Sequence, residues 1–212
     1  RILATGILKR RYRVKVIGFD NIPQAGATLL LGNHISWIDW ALVQIACPRP
    51  IRFVMLKRIY DLWYLKPFFK AFGVVPIAAG QSEESLRTIN GLLRAGECVC
   101  LFPEGAISRN GHLGKFHTGF ERALAGVEEG VIVPFYLHGL WGSSLSRAED
   151  GLRSARAPDL KRDLIVAFGP HLPLDTSAKQ LKQKVFELSI TAWQAYSEQL
   201  PPIALAWLRA AR

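Results

Sequence analysis

The sequence predicts an α/β domain with a central, largely parallel sheet flanked by helices. Three observations predict it. Short apolar runs, among them 28–31, 51–56, 97–102 and 131–137, are too short for helices and are bounded by glycine, proline or polar residues. Helix-compatible stretches alternate with these runs through most of the chain. No internal repeat or low-complexity tract interrupts the alternation. At 212 residues the chain is expected to form one domain, 1–212, around one sizeable core.

Composition narrows the function classes. Half the residues are hydrophobic, yet no uninterrupted apolar stretch reaches the ~18 residues of a membrane span. No transmembrane helix and no signal peptide are expected. The chain opens at Arg1 rather than Met, which suggests a domain excised from a longer multidomain membrane protein. A net charge of +10 seeks anionic partners: nucleic acid, acidic proteins or an anionic membrane surface. No nucleic-acid-binding motif of the usual kinds is present. Six tryptophans and a mean hydropathy of +0.14 lean towards lipid. Cys47, Cys98 and Cys100 have no metal-ligand spacing. Cys98 and Cys100 are expected on one strand face as buried small hydrophobes, which fits a reducing compartment.

Taken in order, 2–8 suits a short helix. The stretch 9–15 carries five cations and reads either as a polybasic strip for lipid headgroups or as a solvated face. Alternation of Tyr12, Val14 and Val16 with Arg11, Arg13 and Lys15 continues it into a half-exposed strand. Residues 20–26 form a turn. The run 28–31 is a buried strand, and a helix is expected from about Ser36 or Trp37 to Cys47. After the strand 51–56, residues 57–72 read as one helix bearing Tyr60, Trp63, Tyr64, Phe68, Phe69 and Phe72, ended or kinked at Pro67. Its apolar positions cover more than one face, so it is wedged in the core or faces lipid; the core is the expectation. Lys66 and Lys70, one turn apart, are within reach of headgroups in the latter case.

A strand over 74–77 follows, then a helix opened by Ser82-Glu83-Glu84 and closed by Gly96. The strand 97–102 leads into a loop. Thr118-x-x-Glu121 reads as a capping box for a helix starting near Gly119. Pro134 marks the strand 131–137 as an edge or a bulge. A polar loop, 141–159, carries Arg147, Arg153 and Arg156, and 164–168 is the last clear strand. An amphipathic helix over 176–199 has Leu181, Val185, Leu188 and Trp193 on or near one stripe. Pro201-Pro202 starts a final segment that packs on the domain or lies in an interface.

Two loops carry the chemistry. His34 lies where the first buried strand ends and a helix begins, a rigid place that meets solvent. Asp39, five residues on, is placed to accept a hydrogen bond from the imidazole, fix its tautomer and stabilise the imidazolium. A helix-capping histidine would look the same. In the second loop, Pro103 and Gly105 give a sharp turn around Glu104.

Asn33-His34-x4-Asp39 followed by Phe102-Pro103-Glu104-Gly105 resembles the glycerolipid acyltransferase superfamily, the lysophosphatidate acyltransferase-like group. Lys57, Pro67-Phe68-Phe69 to Gly73, and Val133-Pro134 add to the resemblance, which covers roughly 13–173. The stretches 33–40 and 102–111 resemble more narrowly the acyltransferase domain of bacterial 2-acylglycerophosphoethanolamine acyltransferases. That domain is often fused to a lysophospholipid transporter, an acyl-acyl carrier protein synthetase, or both. Lysophosphatidate enzymes usually read Glu-Gly-Thr-Arg-Ser in the second loop, where this chain has Ala106 and Ile107. They also carry an arginine where this chain has Ala78. A phosphate monoester suits bidentate guanidinium clamps, so losing both arginines favours a phosphodiester acceptor.

The resemblance implies a lysophospholipid acyltransferase of phospholipid remodelling, with lysophosphatidylethanolamine as the expected acceptor. Lysophosphatidate is the alternative acceptor, and an inactive membrane-binding module is a further alternative. It implies His34 as general base and Asp39 as its orienter, with an acyl-acyl carrier protein or acyl-CoA as co-substrate and no bound cofactor or metal. Glu104 holds the acceptor or braces the loop. Gly105, Arg109, Lys57, Asn33 and Ser36 complete the expected substrate site. Backbone N–H groups near Gly105 or after Asn33 are candidate oxyanion donors. The expected setting is peripheral, on the cytoplasmic face of the bacterial inner membrane and on its anionic lipid.

Overall fold

The alternating apolar runs pair into one sheet because each is apolar on both faces and can be buried only with cover on both sides. The computed structural model describes residues 12–78, 82–150 and 162–198. The seven strands are β1 (Tyr12–Ile17), β2 (Thr28–Gly32), β3 (Arg52–Leu56), β4 (Val75–Ile77), β5 (Cys98–Leu101), β6 (Val131–His138) and β7 (Arg162–Phe168). Their order across the sheet is β1-β7-β6-β2-β5-β3-β4. Five neighbouring strands, β6, β2, β5, β3 and β4, run parallel. The β1–β7 pair is parallel within itself but is joined antiparallel to β6.

The helices are α1 (Asp39–Ala46), α2 (Lys57–Tyr60), α3 (Lys66–Ala71), α4 (Ser82–Arg94), α5 (Gly119–Ala123) and α6 (Ala178–Ser197). Period two divides the cover. Leu30, Cys98, Cys100 and Val133 face one cluster with Leu42 and Val43 of α1. Leu29, Leu31, Val99 and Ile132 face the other with Ile89 of α4, Phe120 of α5 and Leu181 of α6. The cysteines are buried as expected; a hydrogen bond with the Cys47 sulfur, and then burial, push the Cys98 thiol far above its ordinary range, and burial does the same for Cys100. No helix among the described residues is long and apolar enough to cross a membrane.

Several expectations are corrected. Pro134 is not on an edge: β6 lies inside the sheet, between β2 and β7. The proline is tolerated there because pairing to β7 begins only at Phe135 opposite Phe168, while the Pro134 carbonyl accepts the Gly169 N–H at 2.8 Å. The Thr118–Glu121 capping box does not form. The Thr118 side chain makes no cap bond, and Glu121 instead accepts the Ala178 N–H at 2.6 Å, at the start of α6. A reciprocal box does form between Ser177 and Gln180. Trp193 leaves the α6 stripe, which is completed by Ala192 and Ala195. Its ring lies against His138 and Tyr196.

The largest correction concerns 57–72. It is two short helices rather than one, and the break precedes Pro67, which sits in the first turn of α3. Asp61 bridges the break by pairing with both Lys57 and Lys66, and these two cations hold its carboxyl below the ordinary aspartate range. The expected core role fails for most of the aromatics. Phe69 is buried, but Trp63, Tyr64, Phe68 and Phe72 are exposed. The polybasic residues 9–11, the helix over 2–8, Arg153, Arg156 and the segment after Pro201 lie outside the described residues.

Candidate active site

Gly32 ends β2 against the Phe135 ring, where a Cβ would stand 2.4 Å from ring atoms; glycine lets the chain turn here. Asn33 is buried and clamps β6 from both sides of its amide: Nδ2 donates to Leu137 O at 2.9 Å, and Oδ1 accepts from Leu137 N at 2.7 Å. The next residue, His34, emerges at the C-terminal edge of the five parallel strands. Its ring keeps a partly open face and stacks on Phe102, with centroids 4.1 Å apart and planes 14° off parallel.

Asp39 is the first residue of α1, not one turn inside it, and its carboxylate folds back over the loop. Oδ2 lies 2.8 Å from His34 Nδ1, and accepts from the Ile35 and Ser36 N–H groups at 2.6 and 2.9 Å. Asp39 is fully buried, and Oδ1 has no hydrogen-bond partner among the described residues. Burial raises the Asp39 pKa, opposed by the bonds from His34, Ser36 and Ile35. The tautomer does not depend on this balance. With two N–H groups already pointing at Oδ2, that oxygen is an acceptor whether or not Oδ1 carries a proton. His34 Nδ1 must then be the donor, and in the neutral imidazole Nε2 is left bare.

The second loop closes on the first through the backbone. Glu104 Oε1 accepts the His34 N–H at 3.0 Å, and Oε2 accepts the Gly114 N–H at 2.9 Å. Ser108 N–H donates to His34 O at 2.7 Å. Glu104 is thus a brace, one of the two roles open to it. Burial raises its pKa, and the same two N–H groups oppose the shift. A third loop, after β6, completes the enclosure. Leu145 O accepts both Trp37 N–H and Ser36 Oγ–H, and Trp141 Nε1–H donates to Arg109 O. Beside these contacts lies a cleft of about 880 Å³ whose lining includes Trp37, Arg109, Trp141 and Arg147.

A model of the family described as Acyltransferase matches residues 13–138, which span β1 to β6. The chain belongs to the Acyltransferase family. A chloroplastic 1-acyl-sn-glycerol-3-phosphate acyltransferase of Arabidopsis thaliana is 26% identical over 147 residues, covering 66% of this chain and 40% of that one. A probable 1-acyl-sn-glycerol-3-phosphate acyltransferase of Mycoplasma pneumoniae is 25% identical over 127 residues, 56% of this chain and 47% of its own. These matches span less than half the length of either relative. The crystal structure of the 1-acyl-sn-glycerophosphate acyltransferase PlsC from Thermotoga maritima superposes with a TM-score of 0.67 at 15% identity, over 94% of this chain and 81% of that one. That likeness shows the shared fold.

Within this acyltransferase fold the other expected site residues divide. Asn33 and Ser36 are buried, with their side chains bonded to the β6 strand and the third loop. Gly105, with φ of 69°, makes the turn that presents Glu104. The expected oxyanion donors are already engaged: Gly105 N–H bonds Phe102 O, and the N–H groups of 34–36 bond Glu104 and Asp39. Arg109 is exposed on the cleft. Lys57 follows β3 at the same sheet edge but is paired with Asp61. Sequence reasoning missed the Phe102 stack and the cleft residues Trp37 and Trp141. Gly111, whose Cβ would stand 2.7 Å from the Trp141 ring, was the signal available for the latter.

Proposed function

We propose that this chain transfers a fatty acyl group from an acyl thioester to the free glycerol hydroxyl of a lysophospholipid. The observation that carries the reading is the His34–Asp39 pair, fixed with Nε2 bare at the open edge of the sheet. His34 Nε2 takes the hydroxyl proton, the oxygen attacks the thioester carbonyl, and the thiolate leaves with a proton returned from the imidazolium. Asp39 stabilises the imidazolium meanwhile. General-base help of this kind is worth ~10²–10⁴ in rate. The donor is an acyl carrier protein or coenzyme A thioester; both are anionic and suit the positive charge. The catalysis takes place at a membrane surface.

The named relatives support lysophosphatidate as the acceptor, with Arg109 and Arg147 of the cleft available to its phosphate. A second reading, lysophosphatidylethanolamine, is favoured by one observation. Ile107 is a buried apolar side chain where the related loop carries an arginine, and Ala78 and Ala106 supply no cation either. In this second reading the chain is the acyltransferase part of a fusion with transporter or acyl-activating domains. Side-by-side transfer of a labelled acyl thioester to the two lysolipids tests both. A tenfold preference, ~1.4 kcal/mol, decides between them. No transfer to either by folded protein contradicts the proposed activity.

A further inference from the structure

Five large apolar side chains exposed on the described surface fall within 56–72: Leu56, Trp63, Tyr64, Phe68 and Phe72, with Trp63 84% exposed. They fall in one segment, the α2–α3 plate, rather than scattering along the chain, and include two ring pairs. Phe68 and Phe72 rings lie 4.4 Å apart, and Trp63 meets Tyr64 at 5.7 Å. A group of exposed large apolar side chains on one segment marks an interaction surface. The plate is anchored from below: Phe69 is buried, and Phe68 packs edge-on against Trp40, the residue after Asp39. The segment also follows β3, whose C-terminal end shares the sheet edge with the His34 and Glu104 loops.

We propose that the α2–α3 plate docks this protein on a bilayer leaflet containing anionic phospholipid. Charge selects that occupant. Residues 57–70 carry Lys57, Arg58, Lys66 and Lys70 against the single acid Asp61, so the aromatic rings share their segment with a net positive charge. Tryptophan and tyrosine beside lysine and arginine match the two layers of an anionic interface, with rings at headgroup level and cations at phosphates. A protein partner would have no use for so lopsided a border unless strongly acidic. Docking by this face sets the open edge of the sheet, and hence His34 Nε2, towards the leaflet that holds a lysolipid. The inference rests on the lipid reading of the site for that purpose only.

The test is co-sedimentation of the 212-residue chain with phosphatidylcholine vesicles, with and without phosphatidylglycerol, read without turnover. The double variant Trp63→Ser with Phe72→Ser is expected to partition about tenfold more weakly into both kinds of vesicle. The double variant Lys66→Gln with Lys70→Gln is expected to lose about thirtyfold on anionic vesicles only, and salt should erase that difference. Phe186→Ser with Ile190→Ser, exposed on α6, should bind as wild type. Melting curves check folding, and Trp63→Ser alone gives a variant that leaves the core untouched. Unchanged binding by both α2–α3 variants overturns the proposal. So does a change in oligomeric state in the aromatic variant with vesicle binding intact, which would make the plate a contact between copies. Failure of acyl transfer with vesicle binding as expected would count against the enzymatic reading alone.

Discussion

The loop 33–39 and the segment 57–72 leave parallel strands of one sheet, β2 and β3, with β5 between them, and are built on opposite terms. The first is polar chemistry inside a bonded frame: each backbone N–H from His34 to Ser36 has a side-chain acceptor, and His34 has Asp39 on one side and Phe102 beneath. The second is apolar surface on two short helices, held by one buried ring and one doubly paired aspartate. The difference teaches that the hydrogen-bonded framework is concentrated where the proposed mechanism moves a proton. The other segment keeps its aromatics outside, where the proposed bilayer contact would cover them.

If that contrast is right, changes in the loop should act on turnover and changes elsewhere on binding or stability. The largest effect is expected from His34→Ala: acyl transfer falls by ~10³ or more at an unchanged melting temperature, read by initial rates and a thermal melt. Asp39→Asn comes next. Transfer should fall ~10²–10⁴ through loss of the tautomer restraint, and stability by roughly 1–3 kcal/mol as the Ile35 and Ser36 N–H groups lose a charged acceptor.

Glu104→Gln sharpens the comparison. A glutamine has one carbonyl oxygen for two N–H donors, so one of His34 N–H and Gly114 N–H faces an amide donor. The expected result is an about tenfold fall in kcat with KM little moved. A rise in KM alone would make Glu104 an acceptor contact instead of a brace. The smallest effect is expected far from both regions, at Asp163→Asn. Arg13, 2.5 Å away, holds the Asp163 carboxyl below its ordinary value of 3.8. A depressed carboxylate stabilises the fold above its unfolded pKa and loses that contribution as pH falls through the folded value. The variant should therefore melt a few degrees lower or less at neutral pH, and the gap should close in strong acid.

The sheet and the pair were legible because each rests on a local cause. The runs 28–31 and 97–102 are apolar on both faces, which only a covered strand allows, and His34 with Asp39 falls within one turn of chain. What failed depends on what lies across space. Thr118 and Glu121 have capping-box spacing, but Glu121 found the start of α6 instead. Pro134 reads as an edge residue until β7 is seen to begin pairing one residue later. Periodicity over 57–72 counted apolar side chains correctly but could not say that no other part of the described fold covers them. The hydrogen-bond partners of Asn33 and Ser36 were likewise out of reach of sequence, because Leu137 and Leu145 lie more than a hundred residues away.

The central claim is that Asp39 holds His34 with Nδ1 protonated and Nε2 bare for the acceptor hydroxyl. Nitrogen NMR of the His34 ring in neutral solution tests it most directly. The account predicts a protonated Nδ1 and an unprotonated Nε2, with that preference lost in Asp39→Asn. A proton on Nε2, or an equal mixture of tautomers in wild type, would contradict it.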